Sequence, residues 1–423
     1  MQKYFYKLLW KYISLYCLEN NTIAEIFPRN KMFEVIGVKN LLYIQSLEQM
    51  KNQKVNYFLL NGSLHYERDI QATLSQIQKD MIPSSRLILI YYSSLWKPII
   101  TLATWLGLRT KEPEQNWLSH EDIENFLLLS DLELVRREQK VLLPVYIPIF
   151  SNLLNRYIAP LPFFRNFCLV NLAVAKPISQ PMQKASVSIV VPARNEEGNI
   201  ENIVKRIPKM GEEDELIFVE GNSTDNTWKK IQEVAKEYKG HLKIKITQQE
   251  GKGKGDAVRK GFGMAEKEIL MILDADLTVP PEDLPKFYRA IVEGKGEFIN
   301  GSRLVYPMEK KAMRFFNMIG NKFFALAFSF VLGQRFKDTL CGTKVLTREN
   351  YLKLAANRTY FGEFDPFGDF DLIFGASRMC LKIVEVPITY RERTYGDTNI
   401  SRWKHGTILL AMLVFAARRI KFI

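Results

Sequence analysis

The sequence predicts an α/β protein of two domains, the second built on a mixed, mainly parallel central sheet and the first a smaller α/β unit. Three observations predict it. The chain has 423 residues, more than one ordinary domain holds. Its second half carries β-branched or apolar runs that end in acidic, small or turn-forming residues, as parallel strands do when they deliver a ligand site at their carboxyl ends. Helical patterns alternate with these runs throughout.

Composition narrows the partners. Apolar residues make up 47% and charged residues 25%, ample for a globular core. The formal charge of +13 favours anionic partners, meaning nucleic acid, an anionic membrane surface or phosphorylated substrates. No nucleic-acid-binding motif is present, so nucleic acid is set aside. The four cysteines, Cys17, Cys168, Cys341 and Cys380, are scattered without a C-x-x-C pair and read as reduced thiols. Residues 1–18 are aromatic and basic, but Lys7 and Lys11 interrupt them and no cleavage site follows, so no signal peptide is expected. No apolar run reaches the roughly 20 residues that span a bilayer. The longest, 406–417, lies among Arg402, Lys404, Arg418, Arg419 and Lys421, and is expected to lie on a membrane rather than cross it.

Residues 1–176 alternate strand and helix signals. Strands are expected at 56–61 and 86–92, with a helix over 69–79 between them. Ser119-His-Glu-Asp122 has the pattern of a capped helix start, followed by Ile123, Phe126, Leu127 and Leu128. Glu133-Leu-Val-Arg-Arg137 and Val170-Asn-Leu-Ala-Val-Ala175 read as closing strands. From the strand near Tyr57 through Leu95-Trp96 to Trp117-Leu-Ser-His120, the order resembles the carboxyl-terminal half of a class I S-adenosylmethionine-dependent methyltransferase, a truncated, partial Rossmann-like domain. No Gly-x-Gly-x-Gly turn precedes it, and without those glycines a backbone cannot approach that cofactor closely. A scaffolding role is therefore expected. The aromatic stretch 146–167, with Arg156 and Arg165, reads either as an interfacial patch or as a buried hairpin. Residues 177–185 are the linker.

Residues 186–402 carry the chemistry. Val187 to Val191 is β-branched except at Ser188, as in a strand buried on both faces. Pro192-Ala193-Arg194-Asn195-Glu196 follows it and starts a helix. Leu216-Ile-Phe-Val219 is a second strand, ending in Glu220 and the turn Gly221-Asn222-Ser223-Thr224-Asp225. A third strand covers 244–247, before the loop Gly251-Lys252-Gly253-Lys254-Gly255. A fourth, 268–273, ends in Asp274-Ala275-Asp276. Alternation would turn both carboxylates toward one cation, and hard oxygen ligands suit Mg2+ or Mn2+ bridging a diphosphate.

These motifs, in this order, resemble the family 2 glycosyltransferases of GT-A fold, nearest the polyprenyl-phosphate (dolichol-type) mannose and glucose synthases. The resemblance implies nucleotide binding by Pro192, Ala193, Arg194, Glu196, Glu220, Asn222, Ser223, Asp225, Lys252, Gly253, Lys254, Asp274 and Ala275. It implies a metal on Asp274 and Asp276. Downstream, Asp338-Thr-Leu-Cys-Gly342-Thr-Lys344 is similar to the family's acceptor-side segment, with Thr343 where Phe is usual. Phe370-Asp371 is similar to its Phe-Asp pair, with Ile373 for a frequent Glu. Glu392-Arg393-Thr-Tyr-Gly396-Asp-Thr398 is similar to its phosphate-facing loop. Glu220 stands where Asp is frequent, and Asn222 interrupts a Gly-Ser pair.

The expected reaction is inverting sugar transfer from a nucleoside-diphosphate sugar. Asp276, Asp338 and Arg393 are the expected catalytic residues. Metal, Arg393 and Lys254 would stabilise the leaving group, and a hydroxyl acceptor would need Asp338 as general base. A polyprenyl-phosphate acceptor would instead be positioned by Arg303, Lys344, Arg393 and Thr398, with Arg314 a further candidate. The alternatives are transfer to a sugar hydroxyl in cell-envelope polysaccharide assembly, or a degenerate scaffold. The Phe-rich run 313–332, flanked by Lys310, Lys311, Arg335 and Lys337, and the segment 403–423 are the expected contacts with the cytoplasmic face of a membrane. The sequence assigns no oligomeric state.

Overall fold

The computed structural model describes residues 2–18, 21–50, 55–107, 113, 115–306, 315–360, 368, 370–393, 395 and 402–423, without the side chains of 47, 315–317, 359 and 402–405. Thr398, Lys310, Lys311 and Arg314 thus lie outside the described residues. The chain divides into two compact units, Met1–Ser179 with Arg378–Cys380 and Ala417–Ile423, and Gln180–Ser377 with Leu381–Ala416.

In the first unit, α1 (Gln2–Ser14) is followed by β1 (Ile23–Ile26), α2 (Met32–Val35), β2 (Leu41–Ile44), β3 (Tyr57–Asn61), α3 (Ile70–Asp80), β4 (Arg86–Tyr92), α4 (Lys97–Trp105), α5 (His120–Leu129), β5 (Leu132–Lys140), α6 (Phe150–Leu153) and β6 (Val170–Pro177). The six strands lie in the order β2-β1-β3-β4-β6-β5. The first four are parallel, and β6 runs antiparallel to β4 and β5. The Asp69 carboxylate accepts from the Ala72 amide at 2.8 Å and starts α3. Ser119 and Asp122 close the expected capping box on α5. The sheet is larger than the truncated half expected, because β1 and β2 add two parallel strands upstream. After β1 the chain runs through Phe27 and Pro28, where no glycine permits a close backbone approach.

In the second unit, β7 (Val187–Ala193), α7 (Glu197–Arg206), β8 (Glu215–Glu220), α8 (Thr227–Glu237), β9 (Lys243–Gln248), α9 (Lys254–Met264), β10 (Ile269–Ile272) and α10 (Leu284–Val292) alternate as predicted. Then come β11 (Phe298–Ser302), α11 (Phe315–Leu332), β12 (Lys344–Thr347), α12 (Arg348–Ala356), α13 (Phe370–Arg378), β13 (Ile383–Pro387) and α14 (Arg402–Ala416). The sheet order is β13-β11-β12-β10-β7-β8-β9. All neighbours are parallel except around β12, which is antiparallel to β10 and β11, so the sheet is mixed and mainly parallel as expected.

Val187, Ile189 and Val191 of β7 join a core with Ile200 and Ile203 of α7, Leu216 and Phe218 of β8, and Met271 of β10. On the other face α9 lies directly on the sheet. A β-carbon at Gly261 would sit 2.3 Å from Cγ1 of Val190. Gly261→Ala should therefore force α9 outward and lower the stability of the second unit by about 1–3 kcal/mol, the usual cost of overpacking. Urea unfolding followed by tryptophan fluorescence measures this, and an unchanged midpoint would mean that the helix moves freely.

Candidate active site

The site forms where β7, β8 and β10 end together. Beyond β7 the backbone turns through Asn195 in the left-handed region, φ 55°. The Asn195 amide donates to the Ser223 hydroxyl at 3.0 Å, and its side-chain oxygen accepts from the Thr224 amide at 2.8 Å. The Glu196 amide donates to the Thr227 hydroxyl at 2.9 Å, while Asp225 accepts from the Thr227 amide at 3.0 Å. The turns after β7 and β8 are thereby stitched into one structure, bringing Pro192, Ala193, Arg194, Glu196, Ser223 and Asp225 to one strand-end region. Asn222 has φ 56°, the conformation that glycine and asparagine tolerate best. Its departure from the Gly-Ser pattern keeps the turn intact.

Two ion pairs dominate the floor. Asp274 meets the Lys254 ammonium at 2.6 Å. Burial pushes the Asp274 carboxyl up, but Lys254, with Lys344 and Arg303 nearby, outweighs it and holds it below the usual range. The approach depends on Gly342, where a β-carbon would fall 1.9 Å from the Asp274 Oδ2 and 2.4 Å from the Lys254 Nζ. Gly253, φ 87°, lets the loop turn into the start of α9, and Lys252 stays exposed beside it.

Arg393 makes the second pairing, a bridge. Its Nη2 lies 2.9 Å from the Asp276 Oδ2 and 3.1 Å from the Glu196 Oε1. The other Asp276 oxygen accepts from the Thr278 amide at 3.1 Å and from its hydroxyl at 2.8 Å. Ala275 is buried between the two acids. Asp274 and Asp276 thus each face a protein cation, Lys254 and Arg393. Glu196 is nearly buried and accepts from the Asn199 side chain at 2.7 Å. Burial pushes its carboxyl up to about 7, against the pull of Arg393 and with Asp276 and Asp225 adding repulsion.

Three expectations need correction. Glu220 does not face outward, because one carboxylate oxygen accepts from the Ser223 amide at 2.5 Å and the other from Gln248 at 2.9 Å, with the side chain buried. It holds the turn that would meet a nucleotide. Lys344 is fully buried and donates to the Cys341 carbonyl, so it stiffens the Gly342 loop instead of presenting charge to an acceptor. Asp338 is also fully buried. Arg303 Nε and Nη2 reach its two oxygens at 2.7 and 2.9 Å, and the Arg303 and Leu340 amides donate at 3.1 and 3.0 Å. Burial raises the Asp338 carboxyl, but Arg303 lowers it further, and a carboxylate so held is a poor proton acceptor. Sequence reasoning missed Glu385, which accepts from the Lys337 amide at 2.8 Å and the Asp338 amide at 3.2 Å. Its signal was a lone acid inside the apolar strand β13.

A family model described as Glycosyl transferase family 2 matches residues 188–353. Glycosyltransferase AglJ of Haloferax volcanii is 30% identical over 235 residues, covering 55% of this chain and 72% of that protein. A dolichol-phosphate mannosyltransferase of Pyrococcus furiosus is 31% identical over 218 residues, covering 51% and 59%. The crystal structure of glucosyl-3-phosphoglycerate synthase from Mycobacterium tuberculosis is similar at TM-score 0.41 and 20% identity, over 56% of this chain and 80% of that one. The fold and its charged floor define an α/β transferase domain with its site at the carboxyl ends of the sheet. The chain belongs to glycosyl transferase family 2.

Two outcomes follow. Asp338→Asn should destabilise the second unit by about 3–5 kcal/mol, since it leaves the Arg303 charge buried and uncompensated; lost turnover at unchanged stability would restore Asp338 as a base. Folded Glu196 keeps its proton to about pH 7, whereas the unfolded chain releases it near 4.5. The folded state binds more protons between those values, so stability falls as pH rises through that window. Glu196→Gln should flatten the fall in unfolding midpoint, and an identical slope in both proteins would assign it elsewhere.

Proposed function

We propose that this protein transfers a sugar, with inversion, from a nucleoside-diphosphate sugar to a polyprenyl-phosphate acceptor at a membrane surface. The observation that carries the reading is the pairing of Asp276 with Arg393 and Asp274 with Lys254 where the parallel strands end. Acids and bases at one floor suit a ligand that brings both a diphosphate and a divalent cation.

Asp274 and Asp276 are the residues that would hold Mg2+ or Mn2+. Among the described residues no cluster of three or more His, Cys, Asp or Glu side chains is placed to ligate a metal, so the diphosphate and water would supply the remaining oxygens. The hard carboxylate oxygens fit such an ion. When bound, it would neutralise charge building on the departing diphosphate. Arg393, fixed between Glu196 and Asp276, adds permanent positive charge there, because guanidinium stays protonated at any working pH. Glu196 positions that guanidinium. Lys254 sits at the first turn of α9, where the helix amino terminus also favours phosphate. The acceptor oxygen forms a bond to the anomeric carbon as the bond to the diphosphate oxygen breaks, and the nucleoside diphosphate leaves with that electron pair.

The acceptor class rests on Asp338. With that carboxylate locked to Arg303, the hydroxyl-acceptor reading lacks its best-placed base. A phosphate acceptor is ionised already and needs none. The Pyrococcus relative, named for dolichol phosphate, supports the same class. For the membrane, α11 exposes Ile319, Phe323 and Leu326, spaced along one helix face, and α14 exposes Leu410 and Val414. Among the described residues no helix is long and apolar enough to cross a membrane. These faces suit a contact lying in the interface.

The test is nucleoside-diphosphate release from a panel of nucleotide sugars with Mn2+, with and without polyprenyl phosphate. Release should require the lipid phosphate, and Asp276→Ala or Arg393→Lys should cut it by about 10²–10³-fold at unchanged stability, the scale of losing a fixed electrostatic contact. Release with soluble sugars alone would overturn the acceptor, and none with any pairing would overturn the transferase.

A further inference from the structure

The first unit carries an exposed apolar surface. Helix α4 has no buried residue, although its sequence is Lys-Pro-Ile-Ile-Thr-Leu-Ala-Thr-Trp. Ile99, Leu102 and Trp105 are exposed, the last at 81%. Beside it, the stretch 146–167 presents Ile149 at 80%, Phe150 at 62% and Phe163 at 68% exposure. It is an open surface and not the buried hairpin. The two parts are one feature: the Trp96 indole donates to the Phe167 carbonyl at 2.9 Å, and the Phe163 ring lies 5.4 Å from that of Phe167. Large apolar side chains this exposed and this close together in the chain mark a contact surface.

Its charge states which contact. Residues 1–18, 86–110 and 141–179, which include every apolar residue just named, contain no aspartate or glutamate, against 46 in the whole chain. Their charged side chains are all basic. Lys3, Lys7 and Lys11 are exposed and spaced by four along α1. That helix is tied to the surface by the Tyr4 and Tyr146 rings, 5.2 Å apart, and by the Asn155 side chain donating to the Tyr4 hydroxyl at 3.2 Å. Arg156 and Arg165 are exposed within the stretch itself. Exposed aromatic and aliphatic side chains on segments whose own charges are all lysine and arginine are what an anionic bilayer surface attracts. A second copy of this chain would bring the same cationic face and be repelled.

We propose that the first unit docks on an anionic lipid bilayer, inserting α4 and the 146–167 stretch at the headgroup level with the lysines of α1 against the lipid charge. This contact belongs to a different unit from the faces of α11 and α14 and does not rest on the transferase reading.

The full chain is mixed with vesicles of phosphatidylcholine, with or without phosphatidylglycerol, and sedimented. Leu102→Gln/Trp105→Gln/Ile149→Asn should lower partition onto phosphatidylglycerol vesicles by about tenfold or more, and K3Q/K7Q/K11Q should remove most of the preference for them. Unchanged partition in the first variant overturns the proposal. So does a wild-type dimer, without vesicles, that the first variant turns into monomer, since the face would then pair copies. Because the native cysteines are buried, a polarity-sensitive fluorophore on Ile149→Cys gives a second readout that needs only one exposed substitution. Its emission should shift blue on phosphatidylglycerol vesicles; an unshifted spectrum overturns the proposal. Nucleoside-diphosphate release separates the two readings: vesicle binding without release sinks the transferase and leaves this contact standing.

Discussion

The bridge from Arg393 to both Glu196 and Asp276 is the interaction on which the rest of the site depends. It joins the turns that follow two neighbouring strands, β7 and β10, and does so through one guanidinium nitrogen. Two acids held this close repel, and the Glu196 carboxyl, raised chiefly by burial, carries a smaller push from Asp276 as well. A planar guanidinium with several fixed donors suits two acids at once better than the single ammonium of lysine, which is why arginine fits the position. Lys254 does a related task at Asp274, on a contact that exists only because Gly342 has no side chain. Each carboxylate on the floor therefore has a fixed partner before any ligand arrives.

Much of the second unit was legible because its information is local. Val187 to Val191 is β-branched almost throughout, so the buried strand β7 could be read without knowing its neighbours. Asp274-Ala-Asp276 and the glycine-lysine loop were visible as strings. What the strings could not give was direction. Glu220, Asp338 and Lys344 were read as facing a ligand, and all three are buried and engaged by the protein. Glu220 and Asp338 have partners elsewhere in the chain, Gln248 and Arg303, while Lys344 folds back onto the Cys341 carbonyl. Asn222 erred the other way: its departure from the pattern looked disruptive until its positive φ showed it standing in for glycine.

The first unit was harder to read, for two physical reasons. Strands β1 and β2 have four residues each, too short for alternation to stand out from chance. Its buried charges depend on a register shift between Leu134 and Arg136, after which Arg136, Glu138 and Lys140 all turn inward. Arg136 reaches Glu138 at 2.6 Å and Lys140 reaches it at 2.7 Å. Burial pushes the Glu138 carboxyl up, yet Lys140, Lys421 and Arg136 outweigh it and hold it well down. Lys421 itself is pushed down to about 8 by burial. No pattern in the sequence announces a cluster assembled from one bulged strand and a residue some 280 positions later. Such a cluster is expensive to bury and is retained only when every member is paired.

Asp338 gives the same reasoning a functional edge. A general base must lose and regain a proton during each turnover, so its carboxylate needs a proton affinity near the working pH and a path to the acceptor. A bidentate guanidinium with two further amide donors removes the first, and full burial removes the second. Glu385 then fixes the backbone that carries Asp338, so the pair is anchored from behind as well. An acceptor that arrives already ionised makes such a base unnecessary. Arg303 and Asp338 therefore act as a closed ion pair that holds the loop, each charge spent on the other.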